Sequence, residues 1–240
     1  MSRPADWLSS SLGRQLLEAE AELLRGQLDD VFGLELLQLG SWGASRELLS
    51  TSRTRRQTVI ANVTAGPAAC EADVRAELHQ LPIQTASVDA VLLPHTLEFE
   101  PDPHAIVREA DRVLTGEGQL IVLGFSPVSL WGLRAAASRT GFPPGLQQIL
   151  GVGRVRDWLE LLGYEVVLQR RYLYSRPWSV AGPGTRRMLR RGLLNPLPAA
   201  AWLLKARKHV YRMTPLRHRF FRERRPVFGA MPEPAQRNPS

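Results

Sequence analysis

Leu17, Ala21, Leu24, Leu28 and Val31 recur at steps of four and three, the spacing of one helical stripe, and Asp29, Asp30 and Gly33 mark its end. Residues 34–39 (LELLQL) then form a short apolar run closed by Gly40. Residues 58–63 (TVIANV) form a β-branched run bounded by Gly66 and Pro67, so both runs predict strands. Residues 87–95 (SVDAVLLPH) are apolar on both sides of Leu92, as in a buried parallel strand. Asp102 followed by Pro103 predicts an N-cap with proline at the first helical position. Ile106, Ala110, Val113 and Leu114 give that helix its apolar face, with a close near Gly116, and residues 118–125 (GQLIVLGF) predict the next strand.

A helix over 129–138, a Gly/Pro-rich loop over 141–145 and a helix over 153–162 follow, the last with Val155, Leu159 and Leu162 in phase and Gly163 to end it. Residues 164–174 predict a strand. Strand and helix in alternation argue for a mainly parallel sheet with helices on both faces. Residues 199–208 (AAAWLLKARK) are ambiguous, because propensity favours a helix while the length and flanking prolines also permit a strand. Residues 226–240, with four prolines and little apolar content, predict a disordered tail.

Composition narrows the class. A chain of 240 residues with 44% hydrophobic and 22% charged residues is globular, and it is long enough for one α/β domain. Its single cysteine, Cys70, makes neither an intramolecular disulfide nor a Cys-rich metal site. With no basic, apolar and cleavage-site succession at the start and no run of about 18 apolar residues, a cytoplasmic protein with no membrane span is the expectation. The charge is asymmetric: residues 1–169 carry 14 Arg/Lys against 21 Asp/Glu, and residues 170–240 carry 17 against two. A basic C-terminal region suits nucleic acid or another acidic partner, or is simply a solvated basic face.

Chemistry in such a sheet sits beyond the carboxyl ends of the strands, near the point where strand order reverses. Gly40 and Gly43 in the first loop (LGSWGAS) let backbone approach a ligand closely or serve turn geometry alone. Five histidines show no metal-ligand spacing, and no Gly-x-Ser-x-Gly or phosphate-loop motif occurs, so metal, hydrolase and NTPase readings fall away. Trp131, Trp158, Trp178 and Trp202 stand in apolar surroundings and read as core or groove-lining residues.

Taken together, AELHQLPI (76–83), SVDAVLLPHTLEF (87–99) and DPHAIVREADRVLTGEGQLIVLGF (102–125) resemble, in order and content, the class I S-adenosylmethionine-dependent methyltransferases of the type 11 methyltransferase-domain group. SLWGLR (129–134), VGRVRDWLELLGYEV (152–166) and WLLKARK (202–208) are similar to an uncharacterised bacterial subgroup. The resemblance implies a Rossmann-like, doubly wound α/β fold with seven strands, the last antiparallel, which makes 199–207 a strand. It implies a helical cap over 1–33, the α/β domain over 34–208 and a basic, largely disordered tail over 209–240.

By position, the resemblance puts Gly40, Ser41 and Gly43 beside the methionine portion and ribose of S-adenosylmethionine. It puts Glu77 near the adenine amino group, with Leu78 offering its backbone N–H, and His95 beside the methyl-transfer pocket. Where the family's first loop carries an acid, this chain has Gln38, and Trp42 stands at the middle glycine, where an indole either blocks the cofactor or points away. The usual acid at the end of the second strand is absent, with Asn62 or Thr64 nearest.

Methyl transfer from a sulfonium needs no metal, and most of its acceleration comes from alignment. A general base serves only an acceptor that loses a proton; His95 and Glu98 are the candidates. The plainer readings are a structural histidine and, for Glu98 and Glu100, a solvated acidic loop. The N-terminal helix and residues 126–151, together with Phe125, Trp131 and Phe142, suit an apolar or aromatic small-molecule acceptor. The alternatives are an RNA methyltransferase and a non-catalytic protein of this fold that binds RNA or another acidic partner through residues 186–225.

Overall fold

An N-terminal helical pair, α1 (Pro4–Leu8) and α2 (Ser11–Leu28), precedes β1 (Glu35–Leu39). After it come α3 (Ser45–Leu49), β2 (Arg56–Asn62), β3 (Val74–Ala76), β4 (Val88–Pro94), α4 (Thr96–Phe99) and α5 (Pro103–Val113). The rest of the order is β5 (Leu114–Phe125), α6 (Leu130–Ala137), α7 (Val152–Leu161), β6 (Tyr164–Tyr172) and β7 (Ala201–Lys208). This computed structural model describes residues 4–43, 45–65, 72–138, 141–178 and 198–209. Cys70, the basic residues 186–191 and 212–225 and the proline-rich 226–240 lie outside them.

The strands form one seven-stranded Rossmann-like sheet in the order β3-β2-β1-β4-β5-β7-β6. β1 to β5 pair in parallel, and β7 runs antiparallel to both β5 and β6. The ambiguous segment is therefore a strand, wedged between two others and buried from Ala201 to Ala206. Alternation divides the core between two faces. Leu37, Leu39, Val91, Leu93, Leu120 and Val122 pack with α5 and α7, whereas Leu36, Val59, Leu92, Ile121 and Leu123 pack with Leu16, Leu24 and Leu28 of α2 and Trp131 of α6.

Local chemistry explains the boundaries. Asp102 caps α5, accepting from the Ala105 N–H at 3.0 Å, with Pro103 in the first turn, where no amide proton is needed. Ser129 caps α6 through the Gly132 N–H, and Gly163, at φ +84, turns the chain from α7 into β6. Three expectations need correction. The buried row of α2 is Leu16, Glu20, Leu24 and Leu28, while Leu17 and Ala21 are only half-buried, because a carboxylate occupies a place that hydropathy assigns to the outer face. α5 does not run to Gly116; Leu114 already starts β5, with no intervening loop. Trp178 is 64% exposed and belongs to no core, unlike Trp131 and Trp202 at 2% each.

The far end of α2 is anchored. Lys205 of β7, 3% exposed, donates to the Gln27 carbonyl at 2.9 Å and pairs with Asp30. A cation there also complements the carbonyl end of the helix. Among the described residues no helix is long and apolar enough to cross a membrane.

Candidate functional site

Strand order reverses between β1 and β4, so their carboxyl ends flank the crevice where a ligand is expected. The loops after these strands fold into it. Gly40 has φ +89 and packs so closely on Thr96 that a Cβ would lie 2.7 Å from its Oγ1. Gly43, at φ +56, packs likewise on Leu17 of α2. The bare faces of both glycines therefore meet protein. Two residues after Gly40, the Trp42 indole lies over the crevice, its centroid 4.6 Å from the His95 ring, 5.5 Å from Phe99 and 6.4 Å from Phe125.

Beneath the indole is a buried polar network. Glu20, from the middle of α2, accepts from Trp42 Nε1 at 2.7 Å through Oε2, and from His95 Nε2 at 2.8 Å and the Tyr172 hydroxyl at 3.2 Å through Oε1. Glu98 takes the other ring nitrogen of His95 at 2.9 Å and accepts the Phe125 N–H at 2.7 Å. His95 and Glu20 are 0% exposed and Glu98 1%. His95 itself has φ +57, a left-handed backbone that turns its ring inward between the two carboxylates.

Both imidazole nitrogens face carboxylate oxygens, so a doubly protonated ring finds an acceptor on each side. Burial opposes that charge, but the Glu20 carboxylate and the bonds to Glu20 and Glu98 outweigh it, and His95 is pushed up to about 9. Burial raises Glu98, against the pull of the imidazolium. Burial and the nearby Glu20 charge raise the Tyr172 phenol, which stays a donor. The two carboxylates lie on opposite sides of the ring and do not converge. Among the described residues no group of His, Cys, Asp and Glu side chains could hold a metal ion.

The remaining candidates lie further along the strand ends. Asn62 closes β2, and its Nδ2 donates to Glu100 at 2.7 Å while its Oδ1 accepts from the backbone and hydroxyl of Thr64. Burial raises the Glu100 carboxyl, and the bond from Asn62 partly offsets the shift. Glu98 and Glu100 thus form no solvated acidic loop: one is enclosed and the other half-buried. Glu77 is exposed and lies 3.2 Å from His79, and the Leu78 side chain packs in the core. α5 fixes this loop, since Glu109 accepts the Leu81 N–H at 2.6 Å and Arg112 donates to the Ile83 carbonyl at 2.9 Å. Sequence reasoning missed Glu20 and Tyr172. The signal for Glu20 was a carboxylate in line, every fourth residue, with Leu16, Leu24 and Leu28.

The family model of the methyltransferase domain matches residues 43–122. The chain is 33% identical to the uncharacterized protein YafS of Escherichia coli over 182 residues, 75% of this chain and 72% of that protein. The chain belongs to the methyltransferase-domain family. A second relative, the uncharacterized protein Rv2003c of Mycobacterium tuberculosis, is 30% identical over 190 residues, 71% of this chain and 60% of that protein. Among solved structures, a SAM-dependent methyltransferase of Thermotoga maritima, described as a possible histamine N-methyltransferase, superposes with TM-score 0.62 at 16% identity over 82% of this chain and 91% of that one. A methyltransferase of Haloferax volcanii, solved with the Trm112 activator, gives 0.58 at 14% identity over 85% and 95%. These likenesses are of fold.

S-adenosylmethionine is the cofactor that membership of the methyltransferase-domain family implies. The residues present fit its nucleoside half: Asn62 and the half-buried Glu100 offer hydrogen-bonding groups for hydroxyls, and Glu77 an exposed acceptor for an amine. Gln38 Oε1, buried near the end of β1, is an acceptor without a partner among the described residues. Where the resemblance would put the methionine half, beside Gly40, Ser41 and Gly43, stands the Trp42 indole, which is 2% exposed. The indole points into the crevice, which answers the alternative left open by the sequence.

Proposed function

We propose that the chain is an S-adenosylmethionine-dependent methyltransferase acting on a small-molecule acceptor. The observation that carries this reading is the Asn62–Glu100 pair, a carboxylate brought 2.7 Å from the end of β2, where the sequence itself lacks an acid. When bound, the cofactor supplies a sulfonium methyl open to direct displacement. Asn62 and Glu100 hold the ribose hydroxyls, Glu77 and the Leu78 backbone hold adenine, and Gly40, Ser41 and Gly43 border the cofactor's other end. His95, charged at neutral pH, is a fixed cation and positioning residue. Glu98 keeps it in place. Glu20 holds the opposite ring nitrogen from the side of the helical cap. Trp131 and Phe142, with centroids 5.3 Å apart and Trp7 of α1 edge-on to both, make the neighbouring wall apolar.

The test is calorimetric titration with S-adenosylhomocysteine of the natural chain and of the Asn62→Ala and Glu100→Ala variants. Loss of a hydrogen bond to a charged group weakens binding by about tenfold or more. Affinity that both substitutions lower to that extent supports the reading. Indifference to both contradicts it, as does no heat from the natural chain and none when the enclosing Trp42 is replaced by glycine. The enclosure of His95 favours a second reading, a non-catalytic protein of this fold that binds RNA or another acidic partner through its basic C-terminal residues. Salt-dependent RNA binding without cofactor binding would support it, and salt-insensitive or absent RNA binding would count against it.

A further inference from the structure

The crevice between β1 and β4 lies where strand order reverses, and this chain fills it with its own side chain. The Trp42 indole is 2% exposed, and the groups beneath it, Glu20 and His95, are fully buried. The indole is also bound as a ligand would be. It lies among the rings of His95, Phe99 and Phe125, and its N–H donates at 2.7 Å to a fully buried carboxylate. Offset aromatic contacts and a charge-assisted hydrogen bond are what a site uses to hold a planar N–H donor.

The segment carrying the indole is built to turn. Ser41 and Trp42 lie between Gly40 at φ +89 and Gly43 at φ +56, so both bends of the loop fall on residues that adopt such angles without a Cβ penalty. The partner that holds the indole belongs to the helical cap. Glu20 of α2 gathers Trp42 from the loop after β1, His95 from the loop after β4 and Tyr172 from β6. One carboxylate therefore fastens the cap, the loop and the crevice floor together.

We propose that Trp42 is a built-in occupant of the ligand crevice and that Glu20 is the latch that keeps it there. The methionine end of the cofactor gains the crevice only when the indole N–H leaves Glu20 and the ring swings out. As folded, the chain is autoinhibited. The proposal rests on the methyltransferase reading, because it takes S-adenosylmethionine as the ligand that the indole displaces. When the competent state is a small fraction of the population, apparent affinity falls by that fraction, so a crevice open about one time in a hundred binds about a hundredfold more weakly.

The test compares S-adenosylhomocysteine binding to the natural chain, to Trp42→Gly and to Trp42→Phe by titration calorimetry, with thermal melts to establish that each chain is folded. Trp42→Gly empties the crevice. Trp42→Phe keeps an aromatic ring but has no N–H for the latch, so it carries the test if the glycine variant does not fold. Affinity is expected to rise at least tenfold in Trp42→Gly and by a smaller factor in Trp42→Phe. Millimolar free indole, refilling the vacated place, is expected to reverse the gain in Trp42→Gly. Equal affinity in all three chains, within twofold, overturns the latch and leaves the cofactor assignment standing. Absence of binding by every folded chain overturns the cofactor assignment and the latch with it. A gain that indole does not reverse also overturns the proposal, because the ligand would then be using some other place.

Discussion

Replacing Glu20 with alanine removes the acceptor of three donors at once: the Trp42 N–H at 2.7 Å, the His95 Nε2–H at 2.8 Å and the Tyr172 hydroxyl at 3.2 Å. All are buried, so water does not replace it. Removing one partner of a buried ion pair costs about 3–5 kcal/mol. A buried donor left unpaired adds about 1–3 kcal/mol. Two effects limit the sum. Glu98 still pairs with the imidazole, and His95 can shed its proton, which caps the electrostatic part at about 3 kcal/mol for a group held near 9 instead of 6.5. The expected loss is about 4 kcal/mol, a large share of the roughly 5–15 kcal/mol that keeps a domain folded. In urea unfolding at pH 7, followed by tryptophan fluorescence, it appears as a midpoint lower by about 2 M at unchanged slope. Arg25→Ala, on the exposed side of the same helix, is the control and is expected to stay within about 0.5 kcal/mol. A midpoint shift for Glu20→Ala below about 0.5 M would refute the reasoning, for it would mean that the network is solvated or rearranged.

Because the folded chain holds the His95 proton more tightly than the unfolded chain does, its contribution is complete below about pH 6.5 and is lost as pH rises through about 9. The raised Glu98 carboxyl acts in the same direction. Thermal midpoints are therefore expected to fall from pH 6.5 to 9.5 and to fall less in His95→Gln; a rising profile would contradict the assignment. Gly124→Ala would place a Cβ 2.3 Å from Cζ2 of Trp202, whose indole N–H is fixed on the Phe125 and Leu150 carbonyls, and it should cost about 1–3 kcal/mol in urea unfolding. A cost under about 0.5 kcal/mol would show that Trp202 yields. Asp102→Ala removes the cap of α5 and should cost about 1 kcal/mol, with no loss at all counting against the cap. Glu77→Ala, at an exposed residue, should weaken S-adenosylhomocysteine binding about tenfold without moving the melting temperature, and unchanged affinity would remove Glu77 from the adenine site.

The sheet was readable wherever local signals and burial agreed. The buried run of β5, the Asp102–Pro103 start of α5 and the Gly163 end of α7 were legible because each is fixed by chemistry within a few residues. β3, three residues long, carries too little pattern to announce itself. β7 was ambiguous because its apolar run suits helix or strand, and pairing between β5 and β6 decides it. The site was legible as a set of loops and not as a network. His95 could be placed after β4 from the sequence, but its partner Glu20 is 75 residues away and becomes visible only when α2 docks on the sheet. The direction of Trp42 was likewise undetermined, since a loop with glycines on both sides leaves the indole free to face either way until Glu20 and the aromatic cluster fix it.

The most direct measurement is a side-by-side titration of the natural chain with adenosine and with S-adenosylhomocysteine. The strand ends beyond β2 and β3 carry the half-buried Asn62 and the exposed Thr64 and Glu77, whereas the proposed place for the methionine end is taken by Trp42. The expected result is that both ligands bind, with affinities within about threefold of each other, because the added amino-acid portion gains almost nothing against a filled crevice. S-adenosylhomocysteine binding a hundredfold tighter than adenosine would contradict the account, since it would mean that the crevice stands open.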